Sequence, residues 1–164
     1  MTDSSIRPLS PADQGWLVAF LTERWGSTRM VARGVLYEVT DHPGFVAVDP
    51  ADADARIGLI TYHIAGDQCE ITLLDSVREN RGIGSALVAA VEEVARAAGC
   101  TRLWLITTND NLRALGFYQK RGFAMAALYR HALAESRKLK PEIPLIGMHN
   151  IPLRDEIEFE KRLD

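Results

Sequence analysis

Apolar positions recur along the first third of the chain at strand-like and then at helical spacing. A short strand over 6–9 precedes the start signals of a helix, with Ser10 at the N-cap and Pro11 at the first helical position. The apolar stripe of this predicted helix consists of Leu17, Phe20 and Leu21. After a glycine and a serine, a second and shorter helix is predicted over about 30–36.

The middle of the chain predicts a meander of three strands followed by a strong helix. The run 44–48 is rich in β-branched and aromatic residues, and turn-forming residues separate it from the apolar stretches 56–65 and 69–77. Because these connections are short, antiparallel hairpins are expected. Residues 85–98 then predict a helix whose apolar stripe is Leu87, Val91, Val94 and Ala98.

The last third alternates strand and helix again. An apolar strand buried on both faces is predicted over 101–108, a helix over 112–122, and strands over 123–128 and 157–163. The proline-containing stretch 134–156 is predicted to be an extended loop or arm before the last strand. Together these elements predict an α/β or α+β fold, with a mixed sheet that carries helices on both faces.

Composition narrows the class of protein. A chain of 164 residues with 47% hydrophobic and 25% charged residues predicts a single globular domain over 1–164. A net charge of −3 argues against a nucleic-acid partner, and the absence of a long apolar run argues against a membrane one. With only two cysteines, neither a disulfide framework nor a zinc site is predicted, and the cytoplasm is the expected location.

The junction before the strong helix has the character of an anion-binding turn. Gly82 and Gly84 allow the backbone to approach a ligand, and the first amides of the following helix have no intrahelical acceptor. Arg81 adds a cation and Ser85 a hydroxyl, which together suit a diphosphate. Leu87 excludes the dinucleotide fingerprint, since it stands where the third glycine belongs. The alternative is a glycine-assisted turn that binds nothing.

Two motifs carry a resemblance to the GCN5-related N-acetyltransferase superfamily. The turn is similar to that family's acyl-CoA pyrophosphate motif at Gly82 and Gly84, although Glu79 stands where the family usually has Gln or Arg. The family's second motif is matched by Asn111, Ala114, Phe117, Tyr118, Gly122 and Phe123. The resemblance covers about 44–123 and extends more loosely toward both ends of the chain. It implies a mostly antiparallel central sheet.

The resemblance also implies a reaction and residue roles. It implies acetyl transfer from acetyl-CoA to a primary amine, which belongs either to a small molecule or to a protein N-terminus or lysine. Leu74 would pair its backbone with the pantetheine amides, Asn111 would contact the cofactor arm, and Tyr118 would protonate the departing thiolate. The pyrophosphate would be held by Asn80, Arg81, Gly82, Gly84 and Ser85. The alternative function is an acyl-CoA-binding or interaction module without turnover.

An amine nucleophile also needs a base, and Glu70 is the candidate. It precedes Leu74 by four residues, which in a regular strand places both side chains on one face and Asp75 on the other. The alternative is an edge carboxylate that faces solvent. The histidines show no metal-ligand spacing, and His63 and His131 remain alternatives for lining an acceptor pocket.

The predicted arm carries charges of both signs. Its basic residues are Arg137, Lys138 and Lys140, and its later acidic residues are Asp155, Glu156 and Glu158. An acidic rim would favour a cationic amine, and the basic group would suit the 3′-phosphate of the cofactor or an acceptor carboxylate. Solvated surface charge is the alternative to both. The arm can also pack on a second copy of the chain in a homodimer.

Overall fold

The computed structural model describes residues 5–78 and 82–164, which contain nine strands and four α-helices. The strands are β1 (Ser5–Pro8), β2 (Arg29–Ala32), β3 (Val35–Glu38), β4 (Gly44–Asp49), β5 (Asp52–Ala65), β6 (Gln68–Ser76), β7 (Arg102–Thr108), β8 (Ala124–Tyr129) and β9 (Glu156–Arg162). The helices are α1 (Gln14–Trp25), α2 (Ile83–Ala97), α3 (Leu112–Lys120) and α4 (Ala132–Leu139). In the described segments, none of the helices has both the length and the apolar character needed to cross a membrane.

Seven of the strands form one mostly antiparallel sheet, and β2 and β3 form a separate two-stranded sheet. The predicted fold class is therefore confirmed. The described residues divide into two compact units. The first comprises 5–28, 38–78, 82–103 and 163–164, and the second comprises 29–37 and 104–162.

The first unit carries helices on both faces of its strands, which follow the order β1, β4, β5, β6. An added Cβ at Gly58 would lie 2.7 Å from Cγ2 of Ile83, so α2 packs closely on that face of β5. The neighbouring pair of Leu59 with Asp75 points to the opposite face, where Arg24 of α1 binds the Asp75 carboxylate. The fully buried side chains of this unit include Leu21, Val39, Val46, Leu59, Ile60, Leu87 and Val91.

A β-bulge in β6 corrects the predicted faces of this strand. Thr61 pairs with Leu73 and Tyr62 with Ile71, so Thr72 is an extra residue on β6. One extra residue reverses the alternation of side chains, and Glu70, opposite His63, therefore lies on the face of Asp75. The prediction that Glu70 and Leu74 share a face was wrong, because it assumed a regular strand.

In the second unit β9 lies between β7 and β8. The helix predicted over 30–36 was wrong, since this segment is the hairpin of β2 and β3. Arg33 and Gly34 between the two strands have φ of 51° and 73°, which is the geometry of a two-residue hairpin turn. The predicted arm begins as helix α4 and continues as a loop closed by the bridge between Ile146 and Pro152.

Candidate active site

The start of α2 leaves its first backbone amides without helical acceptors. Gly82 is the N-cap, with a φ of 72° that a glycine adopts without strain, and the amide of Ala86 donates to its carbonyl. The three amides before Ala86 therefore precede the helical hydrogen-bond ladder. No side chain of the described residues caps this end, and none of their atoms outside the immediate chain neighbours lies within 4 Å of a Cβ built at Gly82. Gly84 and Ser85 are half-buried in the first turn.

The remaining residues of the predicted pyrophosphate turn cannot be placed. Glu79, Asn80 and Arg81 lie outside the described residues. Leu74 lies on β6 and pairs with Ile60, and its half-buried side chain is on the face that carries α2. Its predicted backbone role and the roles of the turn residues stay predictions.

A polar cluster occupies the opposite face of β5 and β6. We call His42, Thr61, His63, Glu70 and Thr72 the histidine cluster. The hydroxyls of Thr61 and Thr72 are 2.8 Å apart, and Nδ1 of His42 lies 3.0 Å from the Thr72 hydroxyl. The rings of His42 and His63 stack with their centroids 5.5 Å apart. His63 pairs across the strands with Glu70.

The surroundings of His42 favour its neutral form. Burial lowers the pKa of His42 from its ordinary value, and the neighbouring His63 lowers it further, against a smaller raising effect of Asp41. Sequence reasoning missed His42, because the residue precedes β4 and reaches Thr72 across 30 positions of the chain. A bulge and a long-range contact leave no periodic signal.

Tyr118 lies on α3 in the second unit, with its ring buried among aromatic side chains. Its ring meets Phe117 and Phe123 edge to face, at centroid distances of 5.0 Å and 5.3 Å. Burial raises the pKa of Tyr118 well above its ordinary value, so the phenol is protonated at neutral pH. The hydroxyl forms no hydrogen bond with any residue of the described chain, although every fully buried polar side-chain atom there has a partner. The Tyr118 hydroxyl oxygen is therefore not completely shielded from solvent, although the residue as a whole is buried.

The turn after β7 is held by its own side chains. The Asn111 side-chain oxygen accepts the amide hydrogen of Ala114 at 3.1 Å and so caps α3. Asp110 accepts from the Thr108 hydroxyl and from the amide of Met148. This turn thus joins the helix of Tyr118 to the loop that follows α4, and the predicted contact of Asn111 with a cofactor stays a prediction.

Most charges of the arm contact the arm itself or the β2–β3 hairpin. The Arg137 guanidinium donates to the carbonyls of Ile143, Pro144 and Leu153. Lys140 donates to the carbonyl of Arg29, and Lys138 pairs with the exposed Glu135. Arg137 therefore supports the backbone of the arm, whereas Lys140 connects the arm to β2 and Lys138 forms an exposed ion pair.

The acidic residues of the arm also have partners. Asp155 accepts from Arg154 and from the backbone amide of His131, and Glu158 accepts from the Tyr129 hydroxyl. Glu156 is buried and accepts from the amide of Arg33, and burial raises its pKa. Within the described segments, no group of three or more metal-binding side chains could hold a metal ion.

The sequence of the chain matches a known protein family over most of its length. Residues 14–123 match the acetyltransferase (GNAT) family, which is two thirds of the chain. The chain therefore belongs to the acetyltransferase (GNAT) family. The predicted family and the predicted enzyme class, an N-acetyltransferase, are confirmed.

Curated relatives extend this result along the chain. Uncharacterized protein YdhI of Bacillus subtilis (strain 168) is 46% identical over 159 residues, which cover 97% of this chain and 98% of that protein. Mycothiol acetyltransferase of Clavibacter michiganensis subsp. michiganensis (strain NCPPB 382) is 36% identical over 114 residues, 62% of this chain and 36% of that protein. Streptothricin acetyltransferase of Streptomyces lavendulae is 33% identical over 105 residues, 60% of this chain and 55% of that protein.

Solved structures share the fold. The IAA acetyltransferase from Bacillus cereus ATCC 14579 superimposes with a TM-score of 0.70 at 21% identity, covering 98% of this chain and 100% of that one. A GNAT family acetyltransferase from Elizabethkingia anophelis, solved with acetyl-CoA bound, gives a TM-score of 0.68 at 20% identity. The superposition covers 98% of this chain and 99% of that one. At these identities the likeness concerns the fold.

Proposed function

We propose that the protein is an acetyl-CoA-dependent N-acetyltransferase that transfers the acetyl group to a primary amine. The acceptor belongs either to a small molecule or to a protein N-terminus or lysine. The observation that carries the proposal is the open start of α2 at Gly82, where first-turn amides precede the helical ladder in a chain of the GNAT family. The acetyl-CoA bound to a structural neighbour supports the choice of donor.

Backbone amides at a helix start suit the diphosphate of acetyl-CoA. Hydrogen bonds to a charged acceptor contribute about 1.5–3 kcal/mol each, and the helix dipole adds roughly 0.3–1 kcal/mol. Gly82, Gly84 and Ser85 provide this backbone in our proposal, and Asn80 and Arg81 complete it. Leu74 offers its backbone to the pantetheine amides, and Asn111 contacts the cofactor arm through its side-chain NH₂ group, because its oxygen caps α3.

Tyr118 supplies the proton for the leaving group in this proposal. The neutral amine attacks the thioester carbonyl, a new C–N bond forms, and the C–S bond then breaks. The phenolic hydrogen of Tyr118 passes to the departing sulfur, while the nitrogen loses its surplus proton as the amide forms, which restores the phenol by way of solvent. Support comes from the burial of Tyr118, which keeps it protonated, and from a hydroxyl without a hydrogen-bond partner in the described chain.

The test is the variant Tyr118→Phe, assayed for acetyl-CoA binding by calorimetry and for CoA release with spermidine, tyramine and the peptide Ala-Gly-Gly. We expect unchanged affinity for acetyl-CoA and a kcat lower by about 10²–10⁴-fold, which is the usual contribution of a general acid. Tyr129→Phe is the matched control, because its hydroxyl donates to Glu158 outside the proposed machinery. Full turnover of Tyr118→Phe would remove the role of this residue.

The same assay separates the enzyme from the alternative function. Binding of acetyl-CoA by the unaltered protein, without CoA release for any amine of the panel, would indicate an acyl-CoA-binding module. Failure to bind acetyl-CoA at all would contradict both. Glu79, which departs from the family motif, is tested by Glu79→Gln, for which we expect tighter binding of acetyl-CoA.

A further inference from the structure

We propose that Asp75 is a positioning residue for acetyl-CoA, because its carboxylate fastens the end of β6 to the last turn of α1 just before the chain enters the pyrophosphate turn. This inference rests on the proposed function and deepens it with a residue that acts through the backbone. We call residues 75–78, the last two of β6 and the two that follow, the exit segment.

The Asp75 carboxylate is buried and accepts three hydrogen bonds from the last two residues of α1. Nε of Arg24 donates to Oδ2 at 2.7 Å, Nη2 of Arg24 donates to Oδ1 at 2.8 Å, and Nε1 of Trp25 donates to Oδ2 at 2.9 Å. A guanidinium that binds both oxygens fixes the orientation of a carboxylate as well as its distance. These contacts therefore give Asp75 one defined position against α1.

Aromatic rings of α1 hold the Arg24 side chain in turn. Its guanidinium carbon lies 5.4 Å from the centroid of the Phe20 ring, and Phe20 stacks on Trp16 at a centroid distance of 4.8 Å. Phe20 belongs to the buried face of the helix together with Leu21. Asp75 is therefore connected to a packed helix of the first unit.

The exit segment stays attached to the sheet beyond the last residue of β6. The amide of Val77 donates to the carbonyl of Ile57 on β5 at 2.9 Å. The Ser76 hydroxyl donates to the carbonyl of Arg78 at 3.0 Å, and the Arg78 guanidinium pairs with the Asp49 carboxylate. The exit segment therefore follows a defined path toward the turn.

Both described ends of the pyrophosphate turn are held by neighbouring residues of β5. The amide of Val77 holds the end before the turn at Ile57. The end after the turn lies against Gly58, where a Cβ would lie 2.7 Å from Cγ2 of Ile83 in α2. Hydrogen bonds weaken steeply once a donor is misaligned, so amides that bind a diphosphate depend on fixed ends. Asp75 secures the first of these ends.

Asp75 acts from the face of the sheet opposite α2. It pairs with Leu59, whereas the next pair, Gly58 with Ser76, faces α2. The Asp75 carboxylate therefore points away from α2, and its effect passes through the peptide group that Asp75 shares with Leu74. The proposed function assigns the Leu74 backbone to the pantetheine amides, so the same anchor serves both parts of the cofactor.

The first test measures Kd for acetyl-CoA by calorimetry in Asp75→Asn. Asparagine offers one acceptor oxygen in place of two, so its NH₂ group faces an N–H donor of α1. We expect Kd to rise about 10-fold, which corresponds to the loss of one hydrogen bond to a charged group. A direct charge effect has the opposite sign, because removal of a carboxylate favours the binding of a diphosphate. The direction of the change therefore separates positioning from electrostatics.

Milder variants and a control accompany this measurement. Arg24→Lys keeps the charge and loses the bidentate contact, and Trp25→Phe removes one N–H donor. Both side chains are partly exposed, and we expect smaller increases of Kd in these variants. Asp13→Asn is the matched control, because Asp13 is also buried and bound by two guanidiniums, those of Arg7 and Arg56. Its hydrogen-bond partners within the described chain lie outside the exit segment, so Kd should not change.

The second test needs no cofactor. Hydrogen exchange of the Val77 amide, which donates to Ile57, reports how firmly the exit segment is attached to β5. We expect faster exchange at Val77 in Asp75→Asn than in Asp13→Asn, whereas a general loss of stability would speed it in both. Equal exchange of Val77 in Asp75→Asn and the unaltered protein would overturn the inference, whether or not acetyl-CoA binds.

The outcomes of the binding test separate this inference from the proposed function. An unchanged or lower Kd in Asp75→Asn, beside an unaltered protein that binds acetyl-CoA, would overturn the inference and leave the proposed function intact. Equal increases of Kd in Asp75→Asn and Asp13→Asn would overturn it as well, because they would reflect stability alone. Arg24→Lys decides in the same way if Asp75→Asn does not fold. An unaltered protein that does not bind acetyl-CoA would contradict the proposed function, and this inference with it.

Discussion

Gly58 controls how closely α2 approaches the sheet, and Gly58→Ala therefore tests the link between packing and cofactor binding. An added Cβ would lie 2.7 Å from Cγ2 of Ile83 and 3.1 Å from Cδ1 of Leu87. Ordinary contacts between carbon atoms are about 3.5–4.0 Å, so the start of α2 must move by about 1 Å. The branched methyl of Ile83 cannot swing aside without a change of rotamer.

The expected magnitude follows from this clash. Overpacking of this kind costs about 1–3 kcal/mol, which corresponds to a fall in Tm of roughly 2–12 °C for a chain of this size. If the α2 amides bind the diphosphate as we propose, a 1 Å shift also weakens at least one hydrogen bond from these amides, worth about 1.5–3 kcal/mol. Kd for acetyl-CoA should then rise about 10- to 100-fold. Thermal unfolding and calorimetry measure the two effects separately.

Two further variants sharpen the test. Gly15→Ala is the matched control, because Gly15 lies in α1 with open space around it, and we expect it to stabilise by about 0.4–1 kcal/mol without altering Kd. In Gly58→Ala combined with Ile83→Ala, the loss of stability should be smaller than the sum of the single losses by more than about 0.5 kcal/mol. Unchanged Tm and Kd in Gly58→Ala would refute the reasoning.

Two other predictions concern ion pairs and the arm. Asp13 is buried against Arg7 and Arg56, which hold its pKa below the ordinary value. The stabilising effect of its charge is therefore present above about pH 4 and is lost as the pH falls. Asp13→Asn should lower the free energy of unfolding by about 1–3 kcal/mol at pH 7 and by less at pH 3, as measured by denaturant unfolding. Arg137→Lys should speed amide hydrogen exchange over 143–154, and Lys138→Ala should not; equal exchange in both would contradict the role of the three carbonyl contacts.

Local signals predicted most of the elements correctly. Ser10, Pro11 and Asp13 mark the first helix start, and the structure has a capping box at that place. The glycine-bearing turn and the stripe from Leu87 onward likewise predicted α2 within two residues of its observed start. These features depend on neighbours in sequence, which is why periodicity and capping rules find them.

The wrong predictions involve backbone geometry that the pattern of apolar and polar residues does not indicate. The hairpin of β2 and β3 turns at Arg33, a residue that rarely adopts positive φ, so the usual Asn-Gly or Asp-Gly signal was missing. The central strand predicted over 101–108 is fully buried only at Leu103 and Leu105, because its other face is half-buried. The bulge at Thr72 likewise reversed the face of β6 on which the Glu70 side chain lies relative to Leu74.

The position of β9 between β7 and β8 constrains the order in which the second unit forms during synthesis. Strand β8 leaves the ribosome well before β9, and its exposed Met125 and Leu128 then have no hydrogen-bonded neighbour in this unit. Until β9 has been synthesised, β8 exposes an unpaired strand edge and apolar side chains that can associate with other chains. In the second unit β8 therefore gains its paired neighbour only after the arm and β9 have been synthesised.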